Sequence, residues 1–209
     1  MELLTTGITF FQKGGIVMYA LLLCSLFVLS IAIERTLYFR RMDSGRAFAR
    51  DFYLALANGK RQQAEKLADD ARGALADILF AVITKKPEAS KNPATYMEVQ
   101  SGIALAKLRK RLYYLSVIVT MAPLLGLLGT ISGMITSFSV FNLESGQATA
   151  ITGGVGEALI ATAMGLCVAI VSLAVHAYFS QRIENIVTDM EQCFSMVETA
   201  DDESKEEAA

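Results

Sequence analysis

With 209 residues, 53% of them hydrophobic, and a mean hydropathy of +0.41, the chain is too apolar for an ordinary soluble globule and falls in the membrane class. Its 19 Lys and Arg nearly balance 21 Asp and Glu, and no arginine-rich or aromatic-interleaved basic face is present, which argues against a nucleic-acid partner. The three cysteines show no CxxC or Cys/His ligand spacing, so free thiols are expected and neither a metal nor a cofactor is.

Residues 1–15 lead into an apolar run from Ile16 to Ile33. A cleaved signal peptide would have a basic leading region and a small-residue cleavage site, whereas here Glu2 precedes Lys13 and the run ends in Glu34-Arg35. A retained transmembrane helix is therefore expected over 16–38. Arg35, Arg40, Arg41, Arg46 and Arg50 lie on its C-terminal side against Lys13 alone on the other, so the positive-inside rule places 1–15 outside and the C-terminal side in the cytoplasm.

Residues 39–111 read as a helical cytoplasmic section. Ser44 is a candidate cap for a helix that puts Phe48, Phe52 and Ala55 on one face and stops near Asn58-Gly59. A polar helix is expected over 61–71. After Gly73, the residues Leu75, Ile78, Leu79 and Val82 keep helical spacing in a piece too short to cross a bilayer. KKPEASKNP reads as a loop. From Tyr96 to Arg111 a helix is expected to run on into the membrane, with Lys107, Arg109, Lys110 and Arg111 at the interface.

Leu112 to Leu143 carries no charge, and a second transmembrane helix is expected over 112–141. Residues 142–149, with Glu144 and no Lys or Arg, form an outer loop. A third transmembrane helix over 150–180 returns inward. Ile183, Ile186, Val187, Met190, Phe194 and Val197 continue its spacing in 181–209, ahead of an acidic tail expected to be disordered. The fold class is all-α: a polytopic membrane protein with three transmembrane helices and a helical cytoplasmic section.

Glu157 is the one carboxylate in the third span. An acid there costs about 2.5–3.5 kcal/mol on insertion scales, which makes it the leading functional candidate. Burial disfavours the charged form of a carboxyl group, so Glu157 is suited to taking up and releasing a proton near physiological pH. On the second helix Pro123, Gly126, Thr130, Gly133 and Ser137 share a face, and Pro123 leaves the Val119 carbonyl free for another partner or water. Ala158, Thr162, Gly165, Ala169, Ser172 and His176 form a similar face on the third. If the hairpin turns near 142–149, Thr130 and Glu157 lie at similar depth, roughly 12–18 Å inside the outer helix ends. Thr162 is about 140° around the helix from Glu157, so a lining surface that includes both must be wide. His176, about 28 Å inward of Glu157, is a candidate exit relay. The plainer alternatives stay open: Gly129, Gly133 and Gly165 for close packing in lipid, threonine hydroxyls bonded to helix carbonyls, a neutral Glu157 bonded between helices, and a solvated histidine.

PLLGLLGTISGMITSF in the second helix and GVGEALIATAMGL in the third resemble the paired signature of the ExbB/TolQ/MotA proton-channel family. Three helices with one large cytoplasmic section resemble its ExbB/TolQ branch, since MotA-type stators carry an additional transmembrane helix. The resemblance implies a proton-channel subunit of a motor driven by the proton-motive force in the bacterial inner membrane, coupling proton flow to rotation or to work on a partner spanning the periplasm. It implies that Glu157 matches the family's membrane glutamate, and that Thr130 of GLLGT and Thr162 of EALIATA match its two pore threonines. It further implies a lipid-embedded homopentamer around an ExbD/TolR-like single-span subunit bearing a membrane aspartate, with a TonB-like or TolA-like effector beyond. The chain departs from the pattern at Val171, where a proline is usual, and at His176.

Two other readings compete. A structural scaffold would use the small-residue faces for clustering and have no need of an ionisable Glu157. A sodium-driven version would use Glu157 and the hydroxyls as oxygen ligands, against which stands the scarcity of further acids in the helices. An enzyme is disfavoured, because no nucleophile constellation, metal spacing or phosphate loop is present.

Overall fold

The computed structural model describes residues 15–143 and 148–206, apart from the side chains of 90, 139–143, 148–152, 157 and 202–206. Among the described residues there is no strand. The helices are α1 (Gly15–Met42), α2 (Arg46–Ala57), α3 (Arg61–Asp70), α4 (Ala74–Ile83), α5 (Pro87–Ser90), α6 (Pro93–Arg109), α7 (Leu112–Leu143) and α8 (Ala148–Glu206). They form two compact units, one from Met1–Ile33 and Leu112–Ala177, the other from Glu34–Arg111 and Tyr178–Ala209.

In the first unit, α1, α7 and α8 supply segments long and apolar enough to cross a membrane. Small side chains are buried there, among them Ala122, Ala158, Ala161 and Ala169, while Leu22, Leu26, Leu124, Leu128, Ile170 and Leu173 face outward. In water each such outward leucine or isoleucine would forgo about 1.5–3 kcal/mol of burial. In hydrocarbon it forgoes nothing, and helices associate through close backbone packing instead. Phe27 of α1 meets Tyr114 of α7 edge-on, with ring centroids 6.2 Å apart. The fully buried Ser172 hydroxyl of α8 donates to the Leu115 carbonyl of α7 at 3.1 Å. The chain is a multi-pass membrane protein.

The second unit is built like a water-soluble helical core. Phe39, Phe52, Leu79, Met97, Leu108, Ile183 and Cys193 are buried, and the Phe39 and Phe179 rings lie 5.1 Å apart. Helix α4 buries eight of its ten residues, which explains why so short a helix is so apolar. The Cys193 thiol donates to the Ala49 carbonyl, and burial, with a smaller contribution from the Asp189 charge, pushes its pKa up to about 12.

Local details differ from the sequence expectations. Ser44 does not cap α2, which begins after Gly45 without a side-chain cap. Its hydroxyl instead accepts the Ala76 amide of α4 at 3.2 Å. Gly73, at φ 123°, makes this approach possible, because a Cβ there would lie 2.5 Å from the Ser44 hydroxyl oxygen. The proline-bounded loop contains the short helix α5, with Pro87 in its first turn. The helix expected to run on past Arg111 is marked there by a turn at 110–111 between α6 and α7, where Lys110 keeps helical dihedral angles. Arg35, only 4% exposed, closes that end of α6 by donating to the Lys107 and Leu108 carbonyls at 3.1 and 3.2 Å. The acidic tail expected to be disordered is helical as far as Glu206, and Asp201 pairs with Arg61 at 3.2 Å.

Candidate functional site

Helices α7 and α8 are held together in the first unit by a row of glycines and alanines. At Gly165 an added Cβ would lie 2.6 Å from the Ala122 carbonyl oxygen and 3.0 Å from the Gly126 Cα, so backbone meets backbone there. At Gly126 it would lie 3.0 Å from both the Ala161 oxygen and the Thr162 Cα. Gly129 and Gly133 face the methyl groups of Ala161 and Ala158, which a Cβ would approach to 2.6 and 2.8 Å. The tightest backbone approach at these glycines is therefore Gly165 against the Ala122 carbonyl and Gly126, about one turn N-terminal on α7 to the GxxxG step that is conspicuous in the sequence.

That approach puts the Thr162 hydroxyl against α7, where it donates to the Gly126 carbonyl at 2.9 Å. In an α-helix the same carbonyl accepts the amide four residues on, which is that of Thr130. The two threonines thus converge on one backbone oxygen. The Thr130 hydroxyl donates to the Leu127 carbonyl of its own helix at 2.7 Å. Both hydroxyls place their protons on carbonyls, which leaves their oxygen lone pairs to accept from water or an acid. Pro123, half-buried one turn before Leu127, supplies no amide to the Val119 carbonyl, so this part of α7 has backbone acceptor capacity to spare.

Glu157 lies within α8, immediately before Ala158, and its side chain is outside the described residues. His176 is half-buried on α8, about 21 Å along the helix from Thr162, and is not brought to the threonine pair. Gly126 was placed on the small-residue face by its spacing, but its carbonyl as the meeting point of both threonines was missed. The signal for it was the Gly126 to Thr130 step of four residues, which makes the two a donor and acceptor in any α-helix.

The profile of the MotA/TolQ/ExbB proton channel family matches residues 70–192. An ExbB-like biopolymer transport protein of Synechocystis sp. is 35% identical over 170 residues, covering 79% of this chain and 67% of the relative. A second ExbB-like protein of that organism is 33% identical over 166 residues, covering 78% of this chain and 79% of its own length. The Tol-Pal system protein TolQ of Pseudomonas aeruginosa is 34% identical over 82 residues, 39% of this chain and 36% of the relative. On the match over residues 70–192, the chain belongs to the MotA/TolQ/ExbB proton channel family, as a membrane channel subunit and not an enzyme.

Proposed function

We propose that this protein is the proton-conducting subunit of a motor in the bacterial inner membrane, driven by the proton-motive force. The family match carries this reading, because residues 70–192 contain Thr130, Glu157 and Thr162 together. In the proposed mechanism Glu157 exchanges a proton with a carboxylate on a single-span ExbD/TolR-like partner. The Thr130 and Thr162 hydroxyls, which donate to the Leu127 and Gly126 carbonyls, offer acceptor oxygens that orient the proton or its water on the way past. His176 serves as an exit relay. The chain acts as a homopentamer with its N-terminus outside, and hands the work to a TonB-like or TolA-like effector spanning the periplasm.

The composition of the spans supports protons over sodium. A hard cation needs several converging oxygens, and the second and third spans carry no acid besides Glu157. The test is to reconstitute the complex purified with its membrane partner into vesicles and impose a potential, reading lumenal pH in sodium and in choline buffers. Equal acidification in both buffers supports the proposal. Flux that requires sodium supports the sodium version, and no flux in either supports the scaffold.

A further inference from the structure

Toward the Arg111 end of α7, Ser116, Thr120, Pro123 and Leu127 continue the face on which Thr130 sits. At about 100° per residue the five fall within an arc of about 80°. Thr120 is exposed, and Ser116, Pro123 and Thr130 are half-buried, so the arc is open along its length. Its three hydroxyls donate in one manner, each to the carbonyl three residues back: Ser116 to Tyr113 at 2.8 Å, Thr120 to Val117 at 2.9 Å and Thr130 to Leu127 at 2.7 Å. Each is left with oxygen lone pairs that accept. Hydroxyls bonded back to their own helix are tolerated in lipid and by themselves decide nothing. The deciding group is the Val119 carbonyl, which points toward Pro123 on this arc and receives no amide from it. Ser116, Thr120, Thr130 and Thr162 all donate to other carbonyls, so none of these hydroxyls satisfies it. A backbone acceptor left open within a span needs a donor from outside its helix, and at an open face that donor is water.

We propose that α7 carries the inner half of the proton route as a file of water held by the Val119 carbonyl, Thr120 and Ser116, running about 21 Å along the helix from Thr130 to Ser116. This rests on the reading of the chain as a proton-conducting subunit and extends the route past Thr130. A helix that turns Thr130 to the route turns the rest of that arc to it as well. The carbonyl and hydroxyl oxygens accept from the water and position it. A proton taken up at one end of the file releases another at the far end, and no hydroxyl ionises. Thr120 and Ser116 are thus positioning residues. Ser172 of α8 meets the Leu115 carbonyl, so His176, one turn further along α8, lies about 6 Å beyond that level, where the file ends.

The test uses the full chain with its membrane partner. Thr120→Cys, Ser116→Cys and Met121→Cys are each treated in membranes with a charged methanethiosulfonate on both faces, and modification is read position by position by peptide mass. A thiol reacts as its thiolate, which forms where water reaches it and not in apolar surroundings. Met121 is the control, because it is exposed at the depth of Thr120 but about 100° around the helix from it. Modification is expected at 120 and 116 and not at 121. In vesicles, Thr120→Val combined with Ser116→Ala should lower potential-driven proton flux about tenfold in complexes of unchanged native mass, the scale of one lost hydrogen bond at the barrier. Thr120→Ser, which keeps the hydroxyl, should conduct at the parent rate. Labelling at 120 and 116 no greater than at 121, or parent flux in the double variant, overturns the inner route and leaves the proton reading standing. A parent complex that conducts no protons sinks the proton reading, and this route with it.

Discussion

Replacing Gly165 with alanine adds one methyl group at the point where α7 and α8 touch backbone to backbone. That methyl would sit 2.6 Å from the Ala122 carbonyl oxygen, about 0.8 Å inside the 3.4 Å at which ordinary contact begins. A carbonyl in a helix cannot rotate away as a flexible side chain can, so the helices must part by up to that amount. Overpacking of this kind costs about 1–3 kcal/mol. The same movement would stretch the Thr162 bond to Gly126 from 2.9 Å to about 3.7 Å, past a useful hydrogen bond, at a further cost of about 0.6 kcal/mol and at most about 1.7. Alanine regains up to about 1 kcal/mol over glycine within a helix, which leaves a net loss of about 1–4 kcal/mol. The assay is equilibrium unfolding in mixed micelles, read by far-ultraviolet circular dichroism and compared with Gly102→Ala. Gly102 is exposed in α6 with nothing within 4 Å of an added Cβ, so the control should gain about 0.5–1 kcal/mol. If Gly165→Ala is as stable as the parent chain, the close approach at Gly126 and Gly165 does not hold the pair together, and the threonine convergence loses its basis.

Arg35→Met keeps the length of the side chain but strips the Lys107 and Leu108 carbonyls of their donor, and should cost about 1–3 kcal/mol; faster amide exchange near the end of α6 is the readout, and unchanged exchange would contradict the clamp. Cys193, buried and pushed up to about 12, should resist alkylation at pH 8 in the folded protein and react once it is unfolded. Asp189 is raised above its ordinary value, first by burial and then by the Asp43 charge, against the opposing pull of Arg46. Its folded state therefore holds the proton more tightly than the unfolded chain does, so stability falls as pH rises from about 4. Asp189→Asn should flatten that fall in a denaturation series across pH, and an unchanged slope would remove Asp189 as its source.

The membrane helices were readable because their signal is one-dimensional: a charge-free stretch such as Leu112 to Leu143 has few alternatives to crossing lipid. What lay hidden depended on chain segments far apart. Ser44 looks like the cap of the helix that follows it, and only the positive φ of Gly73 brings α4 close enough to take its hydroxyl. The turn at 110–111 sits inside a basic cluster that marks an interface equally well with or without a break, and Arg35, which closes the end of α6, is more than 70 residues away from it. In the site, Gly129 and Gly133 stand out in the sequence as a GxxxG step, whereas the tightest backbone approach is at Gly165, which lies opposite Ala122 and Gly126. Which residue lies opposite another on an antiparallel helix depends on where the hairpin turns, and a single sequence does not fix that register. Glu157 needed no partner to be noticed, since a lone acid in an apolar span is conspicuous by its chemistry alone.

The most direct measurement compares Glu157→Gln with the parent chain in vesicles that carry the complex with its membrane partner. Glutamine keeps the shape and hydrogen-bonding capacity of a protonated glutamic acid but cannot exchange a proton. Assembly by native mass should be unchanged, while potential-driven acidification of the lumen falls to the level of empty vesicles. Proton flux at the parent rate in the assembled Glu157→Gln complex would contradict the role given to this acid, and with it the reading of the chain as a proton-driven subunit.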